Sequence, residues 1–192
     1  KFEIKNVDNS TTQTLVTDEN GVAITPNMVF EANYEVKEIE APFGYKLNST
    51  VFTIQTSIAK DNIVTVKDEP ITRDIKVSKT WVGNTGTQAV MHLYADNVDT
   101  GKSATLDPSN NWEYTFTGLR KYNGNQEIQY SIKEDEINFY MTSIAGDMDN
   151  GFNVTNTWNE QHEIAWSSWT EDLGILTALD QGVFIFIMPD SK

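Results

Sequence analysis

The sequence predicts an all-β chain built as two tandem modules, each a β-sandwich or small barrel. Short alternating segments rich in Val, Ile, Thr and aromatic residues recur along it, separated by turn chemistry such as Asn20-Gly21, Asp107-Pro108, Asn123-Gly124 and Asn150-Gly151. No stretch before residue 160 holds a helical period over about ten residues. A near-repeat completes the case. YEVKEIEAPFGY at 34–45 and YSIKEDEINFY at 130–140 share Tyr-x-[Val/Ile]-Lys-Glu-x-Glu followed by an aromatic, which fits two copies of one kind of module better than one large domain.

In chain order, the alternation places strands at 2–4, 34–37, 51–56, 63–66, 75–81, 90–94, 112–116, 128–132 and 152–158. Each near-repeat is followed by a β-branched segment ending on a short polar residue, IVTVKD at 63–68 and FNVTNT at 152–157. Glu69-Pro70-Ile71-Thr72 is the expected junction, because proline ends a strand and a fresh alternating run begins after it. The expected organisation is thus a first module over 1–70, a second over 71–159, and a tail over 160–192 with no assigned role. Within the tail, GVFIFIMP at 182–189 is too short to cross a bilayer and reads as a buried strand.

Composition narrows function by exclusion. The chain has 192 residues and a formal charge of -14, with 28 acidic against 14 basic side chains. That excess repels phosphate backbones and anionic lipid, so neither nucleic acid nor a membrane surface is an expected partner. The absence of cysteine removes thiol nucleophiles, thiolate metal sites and disulfides together, and two histidines, His92 and His162, leave little for imidazole chemistry. No cofactor is expected. DENG at 18–21, DNVDTG at 96–101 and DMDNG at 147–151 resemble calcium loops, but none completes the ligand pattern; hairpin turns explain them and no metal site is assigned. Asn-x-Thr triplets at Asn9, Asn48 and Asn153 carry no weight. The aromatics Trp81, Trp112, Tyr114 and Phe116 read as core, with Trp112 the best candidate for an exposed platform. The chain opens on a strand-like KFEIK without a leader and reads as a piece of a longer protein.

One constellation carries chemistry. Residues two apart in a strand share a face, so Ile75, Val77, Lys79 and Trp81 lie together on an apolar face. The same parity groups Tyr130, Ile132 and Glu134, and separately Phe152, Val154, Asn156 and Trp158. A lysine, a glutamate and an asparagine are therefore expected to point inward from three strands of one module. Burial disfavours charge, driving such a pair toward free amine and protonated acid. An amine can then attack the Asn156 carboxamide while the acid relays protons, expelling ammonia and leaving an intramolecular isopeptide bond. The competing reading has Lys79 snorkelling at a strand end, Glu134 in a solvated acidic turn and Asn156 bonded to a loop, and one register slip would produce it.

The run from about Ile71 to Trp158, with VSKTW, MHLYAD, NNWEYTFTGLRKYNG, IQYSIKEDE and FNVTNTW, resembles a Cna B-type domain of Gram-positive surface adhesins and pilins. The resemblance implies that Lys79 bonds to Asn156 with Glu134 as catalyst; its departure is the short GNTGTQ loop after Trp81. Residues 1–70, with TDENGVA, YEVKEIEAPFGY and VTVKDEP, resemble the related SpaA-type prealbumin-like domain. Glu38 matches that family's catalytic glutamate and Asp68 its closing-strand position. The lysine-bearing first strand is missing from the pattern, so Glu38 and Asp68 form an incomplete site, with plain surface carboxylates as the alternative. Together the resemblances imply two tandem immunoglobulin-like/prealbumin-like β-sandwiches.

The implied function is structural: stalk domains of a cell-wall-anchored adhesin or pilin, extracellular on the bacterial surface, whose partners are neighbouring domains of a longer surface protein. The alternative is a module that binds host extracellular matrix protein or glycan. Multiple-turnover catalysis is not expected. A glycosidase would need carboxylates flanking a bond, and those at 38–40 and 134–136 share single strands.

Overall fold

Alternating sequences form ladders when each strand finds a neighbour for its backbone polar groups, and this chain finds them in two groups of sheets. A computed structural model describes residues 1–26, 28–59 and 62–159, together with the backbone of 175–176 and 185–186.

In the first group, β1 (Phe2–Asn6), β2 (Thr12–Leu15), β3 (Asn33–Glu38) and β5 (Val51–Gln55) make an antiparallel sheet in the order β2-β1-β3-β5. The short β4 (Tyr45–Lys46) pairs with β6 (Glu69–Pro70). Inward alternation of Ile4, Tyr34 and Val36 gives a small core joined by Ala32, against which Phe2, Leu15, Met28, Phe52, Ile54 and Val64 pack.

The second group holds β7 (Thr72–Val82), β8 (Ala89–Ala95), β9 (Val98–Leu106), β10 (Glu113–Arg120), β11 (Tyr122–Asn123), β12 (Gln126–Glu127), β13 (Tyr130–Glu134), β14 (Tyr140–Asp147) and β15 (Gly151–Trp158). One sheet runs β10-β7-β15-β14 and the other β13-β8-β9. Ile75, Val77, Phe116, Phe152 and Val154 from the first meet Met91, Leu93, Ala104, Leu106 and Ile132 from the second, forming the layered core of a sandwich. β7 and β15, the opening and closing strands, run parallel, with Val154 opposite Lys79 and Asn156 opposite Trp81.

The two groups meet at one seam. Gly44 accepts a backbone hydrogen bond from Ile71, Phe43 packs edge-on against Tyr122 at 4.8 Å, and Arg120 Nη2 donates to the Tyr45 hydroxyl. Gly44 has φ +82, and a Cβ there would sit 3.2 Å from the Tyr122 side chain.

Two expectations change. Residues 63–66 alternate in burial as a strand would, but form no ladder; no neighbouring backbone pairs with them among the described residues, and alternation alone does not make a strand. The Asp107-Pro108 turn is a short 3-10 helix, Pro108–Asn110, capped by the Asp107 side chain. In the tail, Ile175–Leu176 (β16) pairs antiparallel with Ile185–Phe186 (β17); the rest of the buried strand expected at 182–189 lies outside the described residues.

The calcium-like segments at 18–21 and 147–151 form turns, and that at 96–101 is the Asp96-Asn97 turn running into β9. Asp18 accepts from the Asn20 and Val22 amides, Asp99 from Gly101, and Asp147 from Asp149 and Asn150. Each acid is engaged in closing its own loop.

Candidate functional site

Strand β7 delivers Lys79 to the interior because its inward residues are Ile75 and Val77, both fully buried, and parity carries Lys79 onto the same face. Strand β15 does the same for Asn156 through Phe152 and Val154. The two polar residues are diagonal neighbours on adjacent strands, offset by two positions in the ladder. Glu134 ends β13 in the opposite sheet, behind buried Ile132, and reaches across the core.

Lys79 Nζ lies 2.8 Å from Glu134 Oε1, with side-chain exposures of 0% and 1%. The contact is an ion-pair approach without hydrogen-bond alignment, for neither atom has a hydrogen-bonded partner. Asn156 is fully buried, and both its carboxamide atoms are also without a hydrogen bond. Two buried carboxamide atoms without hydrogen bonds, in the same core as a buried ion pair, are costly in an ordinary protein interior.

Burial pulls the Lys79 pKa below its ordinary value of 10.5, against the opposing pull of the Glu134 carboxylate. The direction favours the free amine, the form with a lone pair. An aromatic group closes the end of the site: the Trp81 ring lies 4.5 Å from Lys79 Nζ, and Trp81 packs edge-on against Trp112 and Tyr140, which in turn meets Trp158. Gly86 is required beneath it, since any Cβ there would run into the Trp81 ring. Trp112 is therefore part of this packing and not an exposed platform.

The structure brings together Lys79, Glu134 and the strand carrying Asn156, and removes the solvated-turn reading of Glu134. In that acidic segment it is Asp135 that stays at the surface, against His92. One member escaped sequence reasoning: Thr142, whose Oγ1 donates to Glu134 Oε2 at 2.9 Å. The shared parity of Tyr140, Thr142 and Ile144 could have found it, had the polar segment YMTSIAGD been read as a strand.

In the first module Glu38 is buried at 5% exposure, which removes the surface-carboxylate reading for it. Its Oε2 accepts from the Asn48 amide at 2.7 Å, while Oε1 has no partner. Asp68 is close enough for the Glu38 charge to act on it: partial burial, then Glu38, raise its pKa, and the chain's amino terminus opposes them. No lysine meets this acidic pair among the described residues; Lys1 turns outward to Glu40.

Two β-sandwich modules in tandem, the second with a buried lysine and carboxamide on its opening and closing strands and an acid facing the lysine from the opposite sheet, match the class of stalk domains found in Gram-positive adhesins and pilins. The comparisons resolve the class by module. Residues 1–70 match the prealbumin-like fold domain and residues 75–157 the Cna protein B-type domain. The collagen adhesin of Staphylococcus aureus is 27% identical over 148 residues, covering 70% of this chain; the chain spans 12% of that relative's length. A solved structure of two B repeat units of the S. aureus collagen-binding protein is 26% identical, with a TM-score of 0.44 over 67% of this chain and 33% of that one. The Bacillus anthracis TIE protein, 22% identical with a TM-score of 0.52 over 82% of this chain and 30% of its own, shares the fold.

Proposed function

We propose that the chain is a pair of structural stalk domains from a cell-wall-anchored adhesin or pilin, and that its second domain staples itself by an autocatalytic isopeptide bond between Lys79 and Asn156. The observation that carries the reading is the buried Asn156 carboxamide, without a hydrogen bond and two ladder positions from Lys79, whose Nζ meets Glu134.

The step balances without any co-reactant. The Lys79 Nζ lone pair attacks Asn156 Cγ while Glu134 serves the carbonyl oxygen as a proton donor. Glu134 then accepts a proton from Nζ and passes it to Nδ2; as the Cγ–Nδ2 bond breaks and ammonia leaves, the carbonyl oxygen returns its proton to Glu134, and the Nζ–Cγ bond remains. Glu134 ends as it began, but the bond is made once, so the domain is no enzyme in the turnover sense. Closing a loop of roughly 77 residues stabilises the domain by about 4.5 kcal/mol if the disulfide relation transfers. Tension can then cross the module through covalent bonds from its first strand to its last. In the first domain, Glu38 and Asp68 stand as the acid and the acceptor of a second such site, whose lysine is not among the described residues.

Intact-mass spectrometry tests the bond: the expected mass is about 17 Da below that of the sequence, the ammonia lost, with peptide mapping placing the link at Lys79 and Asn156. A full sequence mass sinks the claim.

A second reading, in which a module binds host matrix itself, draws on the collagen adhesin relative and on a shallow groove of about 400 Å³ between β9 and β10 lined by Lys102, Tyr114 and Phe116. Collagen and glycan binding assays on the intact chain decide it; silence in both removes it.

A further inference from the structure

We propose that Thr142 is a positioning residue of the cross-linking site, holding the Glu134 carboxyl over the gap between Lys79 and Asn156. This rests on the isopeptide reading above and adds a member that the lysine, acid and carboxamide do not themselves require.

Glu134 comes from the sheet opposite the two residues it must serve. Its side chain has three rotatable bonds, and proton transfer needs the carboxyl within hydrogen-bond reach of both Nζ and the carboxamide. One oxygen, Oε1, faces Lys79 Nζ. The other, Oε2, receives the Thr142 hydroxyl at 2.9 Å, the one hydrogen bond to this carboxyl among the described residues. Thr142 stands directly opposite Asn156 in the β14–β15 ladder, so its side chain projects on the same face as the carboxamide. The anchor is therefore tied in register to the group under attack.

Threonine suits the task in two ways. Its branched Cβ makes χ1 stiff, so the hydroxyl direction is largely fixed. A hydroxyl also donates and accepts with one oxygen. When Glu134 is ionised, Thr142 donates to Oε2; when Oε2 carries the proton, the same oxygen accepts from it. The anchor survives each stage of a proton relay, which an ammonium or a backbone amide could not provide. Thr142 lies on an edge strand and is solvent-exposed as a residue, so the fully buried core does not depend on its methyl group.

The test follows bond formation in time. Wild type, Thr142→Val and Thr142→Ser are made by cell-free synthesis, sampled into denaturant and scored for the linked fraction by intact mass. Thr142→Val is expected to link about tenfold more slowly, or worse, with Thr142→Ser recovering most of the rate. In a Lys79→Ala background, where no bond forms, Thr142→Val should leave the melting temperature within about two degrees of its parent, separating positioning from folding. Wild type at full mass overturns the bond reading and this inference with it. Wild type at the reduced mass with Thr142→Val linking at the same rate, or Thr142→Ser as slow as Thr142→Val, overturns this inference alone. So does a large melting loss in the Lys79→Ala background.

Discussion

The two modules bury an acid at the same place in their near-repeat, Glu38 in one and Glu134 in the other, yet the acids face different company. Glu134 meets a lysine from the opening strand, which lies two ladder positions from Asn156 of the closing strand. Glu38 meets a backbone amide and, nearby, a second acid, Asp68. The same motif thus places a buried carboxylate against a lysine in one module and near a second acid in the other, among the described residues. The cores differ in step. Among the described residues twelve buried apolar side chains form the second core and four the first, so the second module has more packing to set against the burial of charge.

The strongest way to break this comparison is to remove the cation. Lys79→Ala should restore the missing mass and lower the second domain's melting transition by about 20 °C, from the loss of a cross-link that closes a long loop. The first domain's transition should stay where it was in the same calorimetric scan. If both transitions hold, the bond contributes nothing.

Asn156→Ala probes the pair without the bond, leaving Lys79 beside Glu134. The folded-state pKa of Lys79 is lowered, so between that value and the ordinary 10.5 the unfolded chain binds more protons than the folded one. Stability of this variant should therefore rise with pH through that window and level off above it. Urea titrations at several pH values should show the rise, and the companion Asn156→Ala/Lys79→Met should lack it.

The smallest effect sharpens the first module. The Asp68 pKa is raised in the fold, so the folded chain keeps that proton to a higher pH than the unfolded chain does, and stability falls as pH climbs through the window between them. Asp68→Asn removes the charge and should raise the first domain's melting temperature by about one to two degrees at neutral pH. At a pH low enough to protonate Asp68 in both states, the gain should vanish.

Strand parity made much of this legible. Ile75, Val77 and Lys79 alternate against solvent-facing neighbours, and the buried face follows from counting by twos. What escaped were strands whose partners do the stabilising. β9 begins with a polar, exposed run from Val98 to Ser103, and β14 is exposed at seven of its eight residues. Edge strands like these take their order from a neighbour's backbone, which no local apolar pattern reports. Thr142 was lost with β14. Residues 63–66 failed in the opposite sense, because Ile63, Val64 and Val66 carry strand character and find no ladder. The offset between Lys79 and Asn156 was equally out of reach, since register between strands so distant in sequence depends on the whole sandwich.

The parallel pairing of β7 with β15 has a mechanical consequence of its own. Because both strands run the same way, a pull on the start of β7 and on the end of β15 drives them past each other along their length. Before a Lys79–Asn156 bond takes the load, every hydrogen bond of that ladder is loaded together in shear, whereas strands peeled from one end give way one bond at a time. Forced rupture is set by the unfolding rate, and shear loading keeps that rate low until many bonds yield at once.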